Sequence, residues 1–191
     1  MDKNKLLDAC TGLVAQIQGQ YVGWDGIRQF QGTPGRLTRM YEELCWDQLK
    51  ITEELEKQLK VFKEKFNEML VAKPIKVRAV CPHHLLPCLF DVTIGYIPDG
   101  AVLGLSKFAR IAEIMGRRPI LQEEYSRELA EFLESRLEPK GVAVYVVGSH
   151  NCMSFRGIKQ DSKVVTSVLK GVFMEPVVRA EFFAIARGSN G

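Results

Sequence analysis

Two short segments, far apart in the chain, contain all three histidines and two of the five cysteines. The first runs from Cys81 to His84 (Cys-Pro-His-His) and the second from His150 to Cys152 (His-Asn-Cys). Two thiolates and one imidazole can hold a zinc ion and leave its fourth position open, which is the ligand count of a catalytic zinc. Zinc fingers and ribbons instead bring their ligands in two close pairs. A fold that uses these residues together must therefore join two distant parts of the chain.

The predicted zinc ligands are Cys81, Cys152 and one histidine of the first segment, and the spacing does not decide between His83 and His84. An isolated cysteine is more often an ordinary buried residue, but the clustering of thiols with imidazoles favours ligation here. A lone histidine is likewise more often structural. Histidines beside a metal site suit acid–base catalysis, because their unperturbed pKa of about 6.5 allows proton transfer at neutral pH.

Composition limits the class of protein. With 191 residues, 46% of them hydrophobic, the chain can bury a sizeable core as one domain with a small appendage. Its net charge of only +3 favours no particular partner, and neither nucleic acid nor membrane is predicted to bind. No apolar run is long enough to cross a bilayer, and the N-terminus lacks the apolar core of a secretory signal. An odd, scattered set of five cysteines favours a reducing, cytoplasmic location.

The apolar spacing divides the chain into an N-terminal helical region, residues 1–66, and a second region, residues 67–191. Three helices are expected in the first: one over 6–17, one with Thr33 as N-cap and Pro34 in its first turn, and a charged one over 52–65. In the second region the apolar spacing predicts strands over 69–80, 89–97, 142–147, 164–173 and 178–185, with helices over 106–115 and 121–137. The expected class is α+β.

The segment Cys81–Pro87 resembles the Cys-Glu-His-His-Leu-Leu-Pro signature of the GTP cyclohydrolase I family. Motifs similar to those of the family continue in order along nearly the whole chain: Thr33–Leu37, Gly95–Pro98, Gly104–Arg110, Arg117–Pro119, Gln122–Glu123, Pro139–Val144, His150–Met153, Arg156–Gly157, Thr166–Ser167 and Gly171–Phe173. The resemblance implies a tunnel fold, in which an antiparallel sheet carries helices on one face. It also implies a homo-oligomer, a decamer, with active sites at subunit interfaces.

The resemblance implies zinc-dependent hydrolysis of GTP to 7,8-dihydroneopterin triphosphate and formate. It favours His84 over His83 as the third zinc ligand. By the same resemblance His150 protonates the imidazole nitrogen of the guanine as its ring opens, and His83 contacts the ribose and assists later steps. Gln122 belongs to the same expected catalytic set, and Glu123 is expected to accept hydrogen bonds from the guanine edge.

The remaining expected residues bind the sugar and the triphosphate. Ser106 and Lys107 open a predicted helix and Arg110 follows one turn later, which is a suitable anion site. The resemblance assigns Ser106 to the ribose, and Lys107 and Arg110 to the phosphates. Three further arginines are expected to join them, some from other subunits: Arg36, Arg39 and Arg156. A solvated basic face is the ordinary alternative, and it is equally expected for Arg39.

Three residues depart from the family pattern. Pro82 stands where a glutamate is usual, Glu124 where an arginine is common, and Cys88 where an aromatic residue is usual. These changes leave open a divergent cyclohydrolase that accepts another purine nucleotide or stops at a ring-opened product. A tunnel-fold reductase of the deazaguanine pathway and a non-catalytic zinc-binding paralogue are further alternatives. The pathway that the pterin would serve is not determined by the sequence.

Overall fold

The computed structural model of the chain describes residues 2–23 and 25–188. The contacts divide the chain into two compact units, Met1–Asp47 and Gln48–Gly191. The domain boundary predicted after residue 66 falls inside the second unit. The division of the chain into two domains at that point stays a prediction. Within the described residues, no helix is both long enough and apolar enough to cross a membrane.

The first unit is helical. Helix α1 spans Lys3–Gln18 and begins where the Asp2 carboxylate accepts hydrogen bonds from two backbone N–H groups. Two short 3₁₀ turns follow, Gly19–Tyr21 and Asp25–Phe30, and helix α2 spans Thr33–Leu44. Its N-cap is Gly32 rather than the predicted Thr33, because the left-handed backbone of Gly32, with φ 75°, redirects the chain just before Pro34. Helices α1 and α2 pack against each other.

The second unit begins with helix α3, Gln48–Glu56. The predicted helix over 52–65 was therefore wrong in its second half. Residues Val61–Lys63 form strand β1, which pairs antiparallel with strand β4, Ala101–Leu103. Val61 and Phe62 favour a strand, and pairing with β4 gives the backbone N–H and C=O groups of β1 their hydrogen-bond partners.

The main sheet has four antiparallel strands in the order β2-β3-β5-β6. Their bounds are Leu70–Val80 for β2, Pro87–Ile97 for β3, Gly141–His150 for β5 and Lys163–Gly171 for β6. Helices α4, Leu105–Gly116, and α5, Gln122–Leu137, pack on this sheet. The core is apolar and fully buried where they meet, as at Phe90, Phe108 and Tyr125. These elements confirm the strands and helices predicted between residues 69 and 173.

The last predicted strand, residues 178–185, is wrong. This segment lies in helix α7, Pro176–Arg187, after a 3₁₀ turn at Val172–Met174. Pro176 at the first helical position favours a helix start. The ring of Phe182 is fully buried and packs with Phe173 and Ala143 in a cluster of its own. Helix α7 thus supplies a second apolar layer that the sequence interpretation assigned to the sheet.

The pairing of β3 with β5 determines which side chains share a face. Cys88 lies opposite His150, Phe90 opposite Gly148, and Gly95 opposite Ala143. Because successive side chains of a strand point to opposite faces, the first two pairs lie on one face and the third pair on the other. The first face meets α5, and the second is covered near Gly95 by α7.

Candidate active site

The predicted zinc ligands come together at one end of the sheet. Cys81 follows the last residue of β2, and Cys152 lies in the short helix α6, Asn151–Ser154, directly after β5. Strand β3 lies between β2 and β5, so both segments reach the same end of the sheet. The turn after β2 is held by a hydrogen bond from the backbone N–H of Cys81 to the carbonyl of Leu86, at 2.9 Å.

The donor atoms of Cys81, His84 and Cys152 all lie within 4.8 Å of one another. Sγ of Cys81 is 3.6 Å from Nδ1 of His84. In a tetrahedral zinc site with ordinary Zn–S and Zn–N bonds, a sulfur and a nitrogen ligand are about 3.6 Å apart. The residues present therefore fit zinc in both chemistry and spacing, and the structure brings His84, rather than His83, to the two thiols.

Burial and Cys81 favour the protonated thiol of Cys152, whereas Arg156 favours its thiolate. Burial raises the pKa of the Cys152 thiol, and the neighbouring Cys81 raises it further, because two adjacent thiolates repel each other. The guanidinium of Arg156 lies beside the group, with one nitrogen 3.0 Å from Nε2 of His84. Arg156 was predicted to bind phosphate, and its position places a permanent positive charge next to the predicted ligands.

A cavity of about 170 Å³ is lined by two of the three predicted ligands, Cys81 and Cys152. It is lined by residues from both distant segments, from β6 and from the start of α5, including six of the predicted site residues: Cys81, His83, Gln122, Glu123, His150 and Cys152. Pro82, which departs from the family pattern, lines it as well. The cavity therefore brings together six of the residues that were predicted from the motifs.

His150 is held from both sides of its ring. Nε2 lies 2.8 Å from Oε1 of Gln122, and Nδ1 lies 3.3 Å from Sγ of Cys88. Burial lowers the pKa of His150, and the carboxylate of Glu123 opposes that shift. Burial therefore favours the neutral form of the imidazole. Burial also raises the pKa of Cys88 to about 12, so this residue remains a thiol.

Gln122 is fixed by three hydrogen bonds to the sheet. Its Nε2 amide donates to the carbonyl of Val164 at 3.0 Å, to Oγ1 of Thr166 at 3.1 Å and to the carbonyl of Val146 at 3.3 Å. Those acceptors identify the amide nitrogen, so the other amide atom, Oε1, accepts the Nε2–H of His150. Only 2% of Gln122 is exposed, so its amide is shielded from water.

Sequence reasoning missed three residues of this arrangement: Cys88, Gly148 and Thr166. A Cβ atom on Gly148 would lie 1.9 Å from Oε1 of Gln122, so only glycine admits the amide at this point of β5. The available signal was a glycine inside an apolar strand, which often marks a close approach by another group. Cys88 was noted only as a departure from the family, and its contact required the strand register.

The predicted phosphate residues lie elsewhere. Ser106 and Lys107 are in the first turn of α4, and Arg110 follows. Nζ of Lys107 donates to Oε1 of Gln58 at 3.0 Å. Desolvation, followed by repulsion from Arg110 and Lys60, lowers the pKa of Lys107. None of these residues belongs to the lining of the 170 Å³ cavity in the part of the chain that the structure describes.

The two remaining arginines belong to the first unit. Arg36 and Arg39 are exposed on helix α2. The guanidinium of Arg36 donates to Oγ1 of Thr33 at 2.7 Å, on its own helix. Their predicted contact with phosphate stays a prediction.

Comparison with known proteins gives one family. The family model described as GTP cyclohydrolase I matches residues 20–187. A GTP cyclohydrolase 1 of Pelotomaculum thermopropionicum is 39% identical over 191 residues, covering 98% of each chain. One of Aquifex aeolicus is 38% identical over 192 residues, again covering 98% of each chain. The family predicted from the motifs is thus confirmed, and with it the α+β tunnel fold, so the chain belongs to the GTP cyclohydrolase I family of enzymes.

Proposed function

We propose that this chain is a zinc-dependent GTP cyclohydrolase I, which converts GTP to 7,8-dihydroneopterin triphosphate and formate. One observation carries the proposal: two members of the group Cys81, His84 and Cys152, namely the two cysteines, line a cavity that His150 and Glu123 also line. A metal site alone would fit many hydrolases, whereas the added imidazole and carboxylate match the needs of a purine. The names of the relatives support the same substrate.

Zinc is the cofactor that the residues fit. Cys81, His84 and Cys152 would hold it and leave one position open. Zinc bound there supplies a water whose pKa is lowered to about 7, for hydrolysis at carbon 8 of the guanine.

His150 is the proposed proton donor to the imidazole nitrogen of the guanine. As the imidazolium, the ring would donate from Nε2, which lies beside Gln122 at the wall of the cavity, and would return to the neutral form that burial favours. Because the amide of Gln122 is fully used by the sheet and by His150, its proposed role narrows from a reacting group to one that orients His150. His83 lines the same cavity and is the second proposed acid–base group, acting on the ribose.

Glu123 is the proposed guanine-binding residue. It lies in the first turn of α5 next to the immobilised Gln122, and it lines the cavity. A carboxylate has two acceptor oxygens, which match the N1–H and the amino group on one edge of guanine. Its electrostatic influence on His150 indicates that the two side chains lie close enough to act on one ligand.

The triphosphate would extend from the cavity toward cations. Lys107, Arg110 and Arg156 are the proposed phosphate residues, and Ser106 the proposed ribose contact. Arg36 and Arg39 would join them from the N-terminal region of the same or another subunit in a homo-oligomer, a decamer by resemblance. The lowered pKa of Lys107 supports an anion site, because a phosphate would relieve the repulsion from Arg110 and Lys60. A cytoplasmic location completes the proposal.

The test is product analysis. Zinc-loaded protein is incubated with GTP, and formate and pterin are quantified together by mass spectrometry. Equal amounts of formate and dihydroneopterin triphosphate are expected, with neither product from the Cys152→Ser variant. Ring-opened nucleotide without pterin would show that the reaction stops early. Turnover of another purine nucleotide, but not of GTP, would show that GTP is not the substrate. Either result would contradict the proposal.

A further inference from the structure

A buried serine of helix α5 joins the helix to the sheet next to the candidate active site. Ser126 is fully buried, and its Oγ lies 2.8 Å from the backbone carbonyl oxygen of Gln122, one turn earlier. The same Oγ lies 2.6 Å from Oγ1 of Thr166 on strand β6. A buried hydroxyl costs free energy unless it is hydrogen-bonded. Both contacts satisfy that need, and one of them crosses from the helix to the sheet.

The side chains of Ser126, Thr166 and Gln122 form a closed ring of hydrogen bonds with the backbone of Gln122. Each hydroxyl has one hydrogen to donate and can also accept. The backbone carbonyl of Gln122 only accepts, so Ser126 donates to it and accepts the hydroxyl hydrogen of Thr166. Thr166 in turn accepts a hydrogen from Nε2 of Gln122, at 3.1 Å. In this assignment every donor of the ring has an acceptor, and linked hydrogen bonds of this kind strengthen one another.

The ring fixes two groups of Gln122 at once. Thr166 holds the side-chain amide, whose Oε1 faces His150, and Ser126 holds the backbone carbonyl. That carbonyl belongs to the peptide bond that joins Gln122 to Glu123, and a peptide bond is planar. The main chain that leads into Glu123, a residue that lines the cavity, is therefore held by the same ring.

We propose that Ser126 is a positioning residue of the active site: it closes the ring that holds the Gln122 amide and the Gln122–Glu123 peptide in place. Within the part of the chain that the structure describes, Ser126 does not line the 170 Å³ cavity, so it acts through its neighbours rather than on a ligand. The inference rests on the proposed function, in which Glu123 binds guanine and Gln122 orients His150.

The ordinary alternative is a serine that bonds only to its own helix, which is common in helices. Ser135 provides an example on α5, where its Oγ donates to the backbone carbonyl of Phe132 at 3.1 Å on the exposed side of the helix. Ser126 differs because it is buried and contacts β6 as well. Ser135→Ala is therefore a matched control for Ser126→Ala.

The first measurement requires no substrate. Protein labelled with ¹⁵N at its glutamine side chains is transferred to D₂O, and the loss of the Gln122 amide proton signals is followed; Gln122→Met assigns them by their absence. These protons should exchange about fivefold faster in Ser126→Ala and in Thr166→Val, the size expected of one hydrogen bond. Thr166→Ser keeps the hydroxyl and should restore slow exchange, and Ser135→Ala should match the unsubstituted protein.

The second measurement is a double-mutant cycle on formate release from GTP by the zinc-loaded protein. Because Ser126 and Thr166 act through one ring, Ser126→Ala, Thr166→Val and the double variant should each lower kcat about threefold. Two independent residues would give a loss of about ninefold in the double variant. Ser135→Ala should leave kcat unchanged.

Three results would overturn the inference: unchanged exchange of the Gln122 amide in Ser126→Ala, a multiplied loss of kcat in the double variant, or an equal effect of Ser135→Ala. If exchange responds as expected but the unsubstituted protein releases no formate from GTP, the ring and its hold on Gln122 stand and the proposed function fails.

Discussion

Two glycines at opposite ends of the β3–β5 pair admit two different kinds of neighbour. Gly95, toward α7, admits a phenyl ring: a Cβ there would lie 2.7 Å from two ring carbons of Phe182. Gly148, toward α5, admits an amide: a Cβ there would lie 1.9 Å from Oε1 of Gln122 and 2.9 Å from Nε2 of His150. The same strand pair therefore offers a packing contact on one face and a polar contact on the other.

The difference lies in what each neighbour can do if it is displaced. Phe182 is fully buried in an apolar cluster, so a displacement of its ring lowers the stability of the fold but disturbs no group of the candidate active site. Gln122 is a long side chain whose amide can shift, but a shift would release His150 from its orientation. The end of the sheet near Gly95 should thus govern stability, and the end near Gly148 should govern activity. Substitutions at each end can break or sharpen this division.

The largest effect is expected from His150→Ala. Removal of a positioned general acid typically costs about 10²- to 10⁴-fold in rate. We expect a loss of kcat in that range, with the zinc content and the melting temperature Tm close to those of the unsubstituted protein. Initial rates of formate release from GTP would measure it. An unaffected rate would contradict the mechanism assigned to this end of the sheet.

Gly148→Ala should follow, with kcat reduced about 100-fold, because a displacement of about 1 Å at a catalytic group can cost that much. The added methyl forces Gln122 away from His150, so the defect should appear in kcat while Tm falls little. Steady-state kinetics and thermal melts on the same preparation would show both. A large fall in Tm with normal kcat per folded molecule would assign Gly148 to packing instead.

Gly95→Ala is the matched substitution on the other face. Its methyl meets the ring of Phe182, and overpacking of this kind costs about 1–3 kcal/mol, or about 2–12 °C in Tm for a chain of this size. The kcat of the folded fraction should be unchanged. A selective loss of kcat at normal Tm would remove the distinction between the two ends.

The smallest effect is expected from Thr166→Val, which keeps the shape of the side chain and removes its hydroxyl. Gln122 would lose one of its three sheet acceptors and keep the carbonyls of Val164 and Val146. We expect kcat to fall about threefold, in keeping with one neutral hydrogen bond. Assays of Thr166→Val and Gly148→Ala in parallel would compare their kcat values. An equal loss of kcat in both variants would mean that the Thr166 hydroxyl alone holds the Gln122 amide in place.

The sequence was sufficient for the metal group because rare residues cluster in it: three histidines and two cysteines fall in two segments. The strands β2, β3, β5 and β6 were also predictable from continuous or alternating apolar runs. Helix α7 was not, although its more buried residues, such as Val178, Phe182 and Ala186, recur at helical spacing. Its β-branched and aromatic composition favoured a strand, and the packing of Phe182 against Gly95 outweighed that propensity.

The hydrogen bonds around His150 could not be predicted in the same way. Gln122 was singled out from a motif, but its attachment to Val164 and Thr166 depends on the pairing of β5 with β6. The contact between Cys88 and His150 depends on the register of β3 with β5. A shift of one residue would turn every side chain of a strand to the other face. Local patterns identify such residues, and only the register shows which of them meet.

The central claim is that a single zinc, held by Cys81, His84 and Cys152, makes this chain a GTP cyclohydrolase. The most direct measurement is a titration of zinc into chelator-treated, metal-free protein, with formate release from GTP followed at each addition. The account predicts almost no formate without zinc, a linear rise in rate, and a break at one zinc per chain. Full activity in the metal-free protein, or a rate that does not respond to zinc, would contradict it.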